Sequence, residues 1–222
     1  MLVNFLEKTV LYKGISQEDI QQSIDFLHVR KKKFDKGEII FSAGSTIDDL
    51  ALVLSGSVII ESNDLWGNRT ILTKLGRGQY FGETYAILKD AIMLVDVVAN
   101  EKSEIVFLNV SNLFSDEIKT TALGSTIIAN ILQISVQKNL HLSRRSFDIA
   151  PKTIRGRVMS YLNSMSVQSN KTEFDLPFDR QQMADYLNVE RSALSKELGK
   201  MRDEGLIDFH KNRFKIFDID YI

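Results

Sequence analysis

The 222-residue chain contains no cysteine. Disulfides, thiolate zinc sites, cysteine-ligated iron–sulfur clusters and thiol redox sensing are thereby excluded together. Histidine is scarce too. His28, His141 and His210 stand far apart, and none falls in an HxxxH or HExxH spacing that would stack two ring nitrogens on one helix face. No metal and no resident cofactor is expected. No apolar run approaches the roughly 18 to 20 residues of a membrane-spanning helix. Met1 to Lys8 also lacks the basic start and long apolar stretch of a secretory signal. The expectation is a cytoplasmic protein with no membrane partner. An excess of one charge is missing as well: 28 Lys+Arg against 29 Asp+Glu leave a net charge of −1 at pH 7. Bulk charge therefore announces no nucleic-acid partner, and any such partner must be argued from local residues. Enzymatic signatures are absent: no nucleophile–base pair stands out, and Gly76-Arg77-Gly78 lacks the lysine-serine continuation of a phosphate-binding loop. The chain is not expected to be an enzyme.

Proline is nearly absent, and its two occurrences, Pro151 and Pro177, lie in the last third of the chain. The region up to about Phe147 differs in character from the C-terminal remainder, which suggests two domains. Between Phe34 and Leu108 the apolar runs are short and β-branched, as in Leu50 to Leu54, Val58-Ile59-Ile60 and Ile105 to Leu108. Gly44, Gly56, Gly67-Asn68, Gly76-Arg77-Gly78 and Gly82 punctuate them, the pattern of an antiparallel β-roll or jelly roll. A short helix capped by Ser16 precedes it, and Arg30-Lys31-Lys32-Lys33 reads as a solvated strand entry.

From Asp116 to Arg145 no proline intervenes, so about 30 residues at 1.5 Å each give a helix near 45 Å long. Gly124, Ile127, Ile131, Ile134, Lys138 and His141 recur at nearly heptad intervals. One reading is a helix buried against its own domain. The other is the spine of a two-stranded homodimer, in which Asn130 and Lys138 would fix register.

The strongest local signal runs from Phe178 to Leu198 and reads as a helix-turn-helix. Asp179 and Gln182 form a capping-box pair, Asn188 tolerates the left-handed conformation of a tight turn, and Ala184 is small where two helices cross. At 100° per residue, Leu194, Leu198 and Met201 fall on one side of the second helix, and Arg191, Ser192, Ser195 and Lys196 on the other. That polar face suits a DNA groove: arginine can donate twice to guanine, serines can reach bases or phosphates, and Lys196 and Lys200 suit phosphate. Arg180 and Gln181 open the first helix, where the backbone would be gripped. Beyond Gly205, Asp208 to Phe217 alternates around Lys211-Asn212-Arg213, a β-hairpin wing with a basic tip. Residues 149–215 hold 12 Lys+Arg against 9 Asp+Glu, a modest local excess.

Taken in order, Lys36-Gly37-Glu38-Ile39-Ile40-Phe41, Leu54-Ser55-Gly56-Ser57-Val58, Leu75 to Glu83, the long helix and Asp179 to Gly205 make the chain resemble the Crp/Fnr superfamily of transcription regulators over nearly its whole length. The resemblance implies an α+β protein. A cyclic-nucleotide-binding-like β-roll would occupy 1–115, a dimerisation helix 116–147 and a winged helix-turn-helix 148–222. It implies a homodimer that reads a palindrome in double-stranded DNA, with RNA polymerase as a further partner. In cyclic-nucleotide-binding relatives a glycine-glutamate pair and a later arginine-serine pair hold the ligand. Gly82 and Glu83 match the first, but the second location holds Met93 and Leu94, and no arginine occurs between Arg77 and Arg144. A buried phosphate needs a cation or many amide donors, and Lys89 is the nearest substitute. The expected effector is therefore a small molecule other than cyclic AMP, held by Gly82, Glu83, Thr84, Tyr85, Met93, Leu94, Ile134 and His141. A pocket filled by its own side chains, giving a constitutive regulator, is the alternative. Many relatives also carry glutamate where this chain has Ser192, which implies a different half-site.

Overall fold

The computed structural model describes residues 2–64, 66–88 and 90–217. These residues divide into two compact units, one drawn from 2–63 and 75–139, the other from 64–74 and 140–217. The long helix thus contributes to both units, and a short internal segment joins the second.

The first unit begins with helices α1 (Leu2–Leu6) and α2 (Gln17–Phe26). The Ser16 side chain accepts from the Asp19 amide to start α2, as its position predicted. Strands β1 (Arg30–Phe34), β8 (Ser103–Asn109), β3 (Asp49–Ser55) and β6 (Tyr80–Phe81) form one antiparallel sheet in that spatial order. The other sheet runs β2 (Ile39–Phe41), β7 (Asp96–Ala99), β4 (Ser57–Asn63), β5 (Arg69–Gly76).

Side chains alternate across a strand, and in β3 and β8 both alternating sets are apolar. Ala51, Val53, Ile105 and Phe107 enter the core between the sheets with Phe34, Phe41, Phe81, Met93 and Val97. The residues between them, Leu50, Leu52, Val106 and Leu108, face outward and need a cover. Helices supply it. Leu6, Leu11, Ile20 and Leu27 pack there, and so do Ile127, Ile131 and Ile134 from the long helix α5 (Ala122–Ile149). A short helix, α4 (Asp116–Lys119), precedes α5. Gly124 is required at their junction, because a Cβ there would lie 2.0 Å from the Ile118 carbonyl oxygen.

This arrangement corrects the expected dimer seam. Ile127, Ile131 and Ile134 are buried in their own chain, and Gly124 serves a close turn. Asn130 donates to the carbonyls of Leu11 and Lys13 rather than across a partner. On α5 the exposed large apolar residues are Leu132, Val136, Leu140, Leu142 and Phe147. At 100° per residue all of these but Leu142 span an arc of about 80°, nearly opposite the arc of Ile127, Ile131, Ile134 and Lys138, whereas Leu142 falls beside the latter.

The second unit contains the end of α5, helix α6 (Ile154–Ser169), α7 (Arg180–Leu187) and α8 (Arg191–Asp203). Its sheet has the order β10 (Ile207–His210), β11 (Arg213–Ile216), β9 (Glu173–Asp175). Thr153 caps α6 by accepting from the Gly156 amide. The core includes Val158, Tyr161, Leu162, Phe178, Met183, Ala184, Leu187, Leu194, Leu198, Met201 and Phe214. Tyr161, Phe178 and Tyr186 form a ring cluster with centroids 5.0 to 6.4 Å apart. Among the described residues, no helix is long and apolar enough to cross a membrane.

Candidate nucleic-acid interface and effector pocket

Helix α7 starts with the full capping box: Gln182 N–H donates to Asp179 Oδ1, and Asp179 N–H to Gln182 Oε1. It ends at Asn188 in the left-handed region, φ 53°. The Val189 amide donates back to the Ala184 carbonyl, which turns the chain sharply into α8. Arg157 secures this turn from α6, donating to the carbonyls of Leu187 at 3.0 Å and Asn188 at 2.7 Å, and to that of Pro151 at 2.9 Å. Leu194, Leu198 and Met201 are completely buried, so the orientation of α8 about its axis is set by the core. The opposite face carries Arg191, Ser192, Ser195 and Lys196, all exposed. None of the four makes a side-chain hydrogen bond or ion pair among the described residues.

The remaining residues expected to touch DNA are placed unequally. Lys200 and Lys211 are exposed. Gln181 is exposed and donates to Asp185 at 2.7 Å. The Arg213 guanidinium is met by Glu173 at 2.7 Å, which offsets its charge. Arg180 is half-buried, its guanidinium 5.0 Å from the Phe209 ring centroid and 5.4 Å from that of Phe214. It also donates to the Lys211 carbonyl. Arg180 therefore joins the start of α7 to the wing. Burial, and then the nearby charge of Arg191, push its pKa below the ordinary arginine value.

Within the second unit, α7 also carries contacts the sequence did not reveal. Buried Arg145, near the end of α5, donates to the Tyr186 carbonyl and to that of Ile71, each at 3.1 Å. Lys74 donates to the Pro177 carbonyl at 2.9 Å, and Thr70 to Asn188 Oδ1 at 3.2 Å. Asp148, almost fully buried, accepts from Ser164 at 2.7 Å and from the Tyr186 hydroxyl at 3.3 Å. Burial raises its pKa above the ordinary aspartate value, and these hydrogen bonds oppose the rise.

In the first unit, Gly82 adopts φ 84° ahead of the short helix α3 (Glu83–Ile87). A Cβ at Gly82 would lie 3.0 to 3.1 Å from Phe41, Ile47 and the Asp49 carbonyl oxygen, so the chain presses closely on the sheet here. This brings Glu83 inside, only 4% exposed. Its carboxylate accepts a hydrogen bond from the ammonium of Lys138 on α5, forming an ion pair. Burial lowers the Lys138 pKa, and Glu83 partly restores it.

The other residues expected in the effector pocket differ in their surroundings. Met93 is turned into the core between the sheets, and Ile134 into the cluster under the helices. Leu94 is 75% exposed and Thr84 is exposed. Tyr85 packs at the edge of the inter-sheet core, where its hydroxyl accepts from the Leu94 amide. His141 is exposed and belongs to the second unit. Lys89 lies outside the described residues. The physical reason is that Met93 and Ile134 are apolar, and the protein's own cores remove each from water without any ligand. Among the described residues no group of three or more His, Cys, Asp or Glu could hold a metal ion.

Comparison with known proteins agrees with this architecture. Residues 31–115 match the family model of the cyclic nucleotide-binding domain, and residues 156–221 that of the Crp-like helix-turn-helix domain. The chain is 23% identical over 214 residues to the cAMP-activated global transcriptional regulator CRP of Haemophilus influenzae, covering 91% of this chain and 92% of that one. It is 23% identical over 197 residues to the cyclic AMP receptor protein of Thermus thermophilus, covering 89% and 87%. Its fold is similar to that of the c-di-GMP responsive global regulator CLP of Xanthomonas campestris, with a TM-score of 0.71 at 19% identity, covering 92% and 100%. With both domain models matched in order across most of its length, the chain belongs to the Crp/Fnr family of DNA-binding transcription regulators.

Proposed function

We propose that the protein acts in the cytoplasm as a homodimer whose two α8 helices read the halves of a palindromic operator. The observation that carries this reading is the α8 face of Arg191, Ser192, Ser195 and Lys196, exposed and unengaged on a helix whose other face is wholly buried. Arg191 reads a guanine, the serines contact bases or phosphates, and Lys196, Lys200 and Lys211 contact phosphate. Dimerisation uses the exposed face of α5 formed by Leu132, Val136, Leu140 and Phe147, an apolar stripe that a second copy of the same helix would cover. RNA polymerase is a further partner where the regulator activates.

The effector is not cyclic AMP. The location that carries a phosphate-binding arginine in cyclic-nucleotide-binding relatives holds Met93, which is buried, and Glu83 is engaged by Lys138. A different small organic molecule or no effector at all then remains, and the occupied carboxylate favours the second. The test is selection of random duplex DNA on the purified, ligand-free protein. A two-fold symmetric motif with half-sites about one turn, near 34 Å, apart is the expected result. Retention of no motif, both alone and with cell extract added, would overturn the reading.

A further inference from the structure

The buried Glu83 carboxylate has a partner supplied by the chain itself. Lys138 stands one helical turn beyond Ile134, on the α5 face that also carries Ile127 and Ile131. Three turns of apolar contact therefore end in one charged contact. An isolated carboxylate at this depth would be strongly penalised, and an ammonium beside it removes much of that penalty. Any ligand that used Glu83 would first have to displace the ammonium and leave Lys138, itself largely buried, without its counter-ion.

We propose that Lys138 is a built-in substitute for an effector: its ammonium takes the Glu83 carboxylate that cyclic-nucleotide-binding relatives offer to their ligand, so the β-roll grips the middle of α5 with no ligand bound. The inference rests on the regulator reading above and specifies how that regulator is controlled. On this proposal the hold of the β-roll on α5 needs no ligand. Lys138 acts here as a positioning residue and touches no DNA.

The test uses the full chain, its Lys138→Met and Lys138→Arg variants, and the exchanged pair Glu83→Lys with Lys138→Glu. Hydrogen exchange of the amides from Ile134 to Asn139 is read first, and binding of cyclic AMP is measured by calorimetry on the same samples. In Lys138→Met those amides should exchange at least about tenfold faster than in the parent. Lys138→Arg should leave them slow, and the exchanged pair should restore part of the protection. Cyclic AMP should give no binding heat with the parent. Unchanged exchange in Lys138→Met, or cyclic AMP binding to the parent, would overturn the proposal. Because neither readout involves DNA, failure of the DNA selection would reject the regulator reading without deciding this one.

Discussion

Arg157 on α6 donates to the carbonyl of Asn188 at 2.7 Å, in the turn of the helix-turn-helix. The same guanidinium also holds the Leu187 and Pro151 carbonyls, so one side chain ties the end of α5, the start of α6 and the turn together. Hydrogen bonds from a charged donor contribute more than neutral ones, and truncation leaves the acceptors unpaired. Arg157→Met should lower unfolding free energy by about 2 kcal/mol. Urea denaturation checks this, and a loss confined to DNA affinity with unchanged stability would contradict it.

Arg191 and Arg180 should respond differently to truncation. Arg191→Ala should cost about 1 to 3 kcal/mol at a single base position and little elsewhere. Arg180→Ala should weaken binding to all sequences alike, and it should also lower the melting temperature, because the side chain lies against Phe209 and Phe214. Binding assays across a panel of single-base operator variants, with parallel thermal melts, separate the two.

The two faces of α5 give opposite predictions. Ile131→Ala should cost about 2 to 4 kcal/mol through the cavity it leaves, while leaving the proposed dimer intact. Leu132→Glu combined with Val136→Glu should yield a folded monomer, since both side chains are exposed in the single chain. Sedimentation velocity distinguishes these outcomes, and a dimer persisting in the double variant would rule out the stripe as the interface.

Asp148 sets a pH dependence. Its pKa is raised by burial, despite hydrogen bonds from Ser164, Tyr186 and Ser160 and the charge of Arg144. The folded chain then holds that proton more tightly than the unfolded chain. Its contribution to stability is fully present below the ordinary carboxylate range and is lost as pH rises through the raised value. Asp148→Asn keeps an acceptor for Ser164 and removes the ionisation. The variant's denaturation midpoint should fall less steeply with rising pH across that window, and parallel curves for parent and variant would refute the assignment.

The winged helix-turn-helix was legible in the sequence because its determinants are local. A capping box needs residues three apart, the left-handed turn needs one asparagine, and the buried stripe of α8 needs only helical spacing. The β-roll was legible for the same reason, through glycines between short β-branched runs. Strand β9 was not, since Glu173-Phe174-Asp175 is too short to announce itself and exists by pairing with β11.

Tertiary structure alone decided which face of α5 is covered and what occupies Glu83. The helix is apolar on two sides, so periodicity could not tell a dimer seam from a core contact. The outward leucines and valines of β3 and β8, Leu50, Leu52, Val106 and Leu108, claimed Ile127, Ile131 and Ile134. That burial rotates Lys138 toward Glu83, a partner 55 residues distant in the chain. Local chemistry thus determined where helices start, stop and turn, and which side of α8 is polar. Long-range burial determined which of two similar apolar faces stays exposed, because that choice depends on what the rest of the chain leaves uncovered.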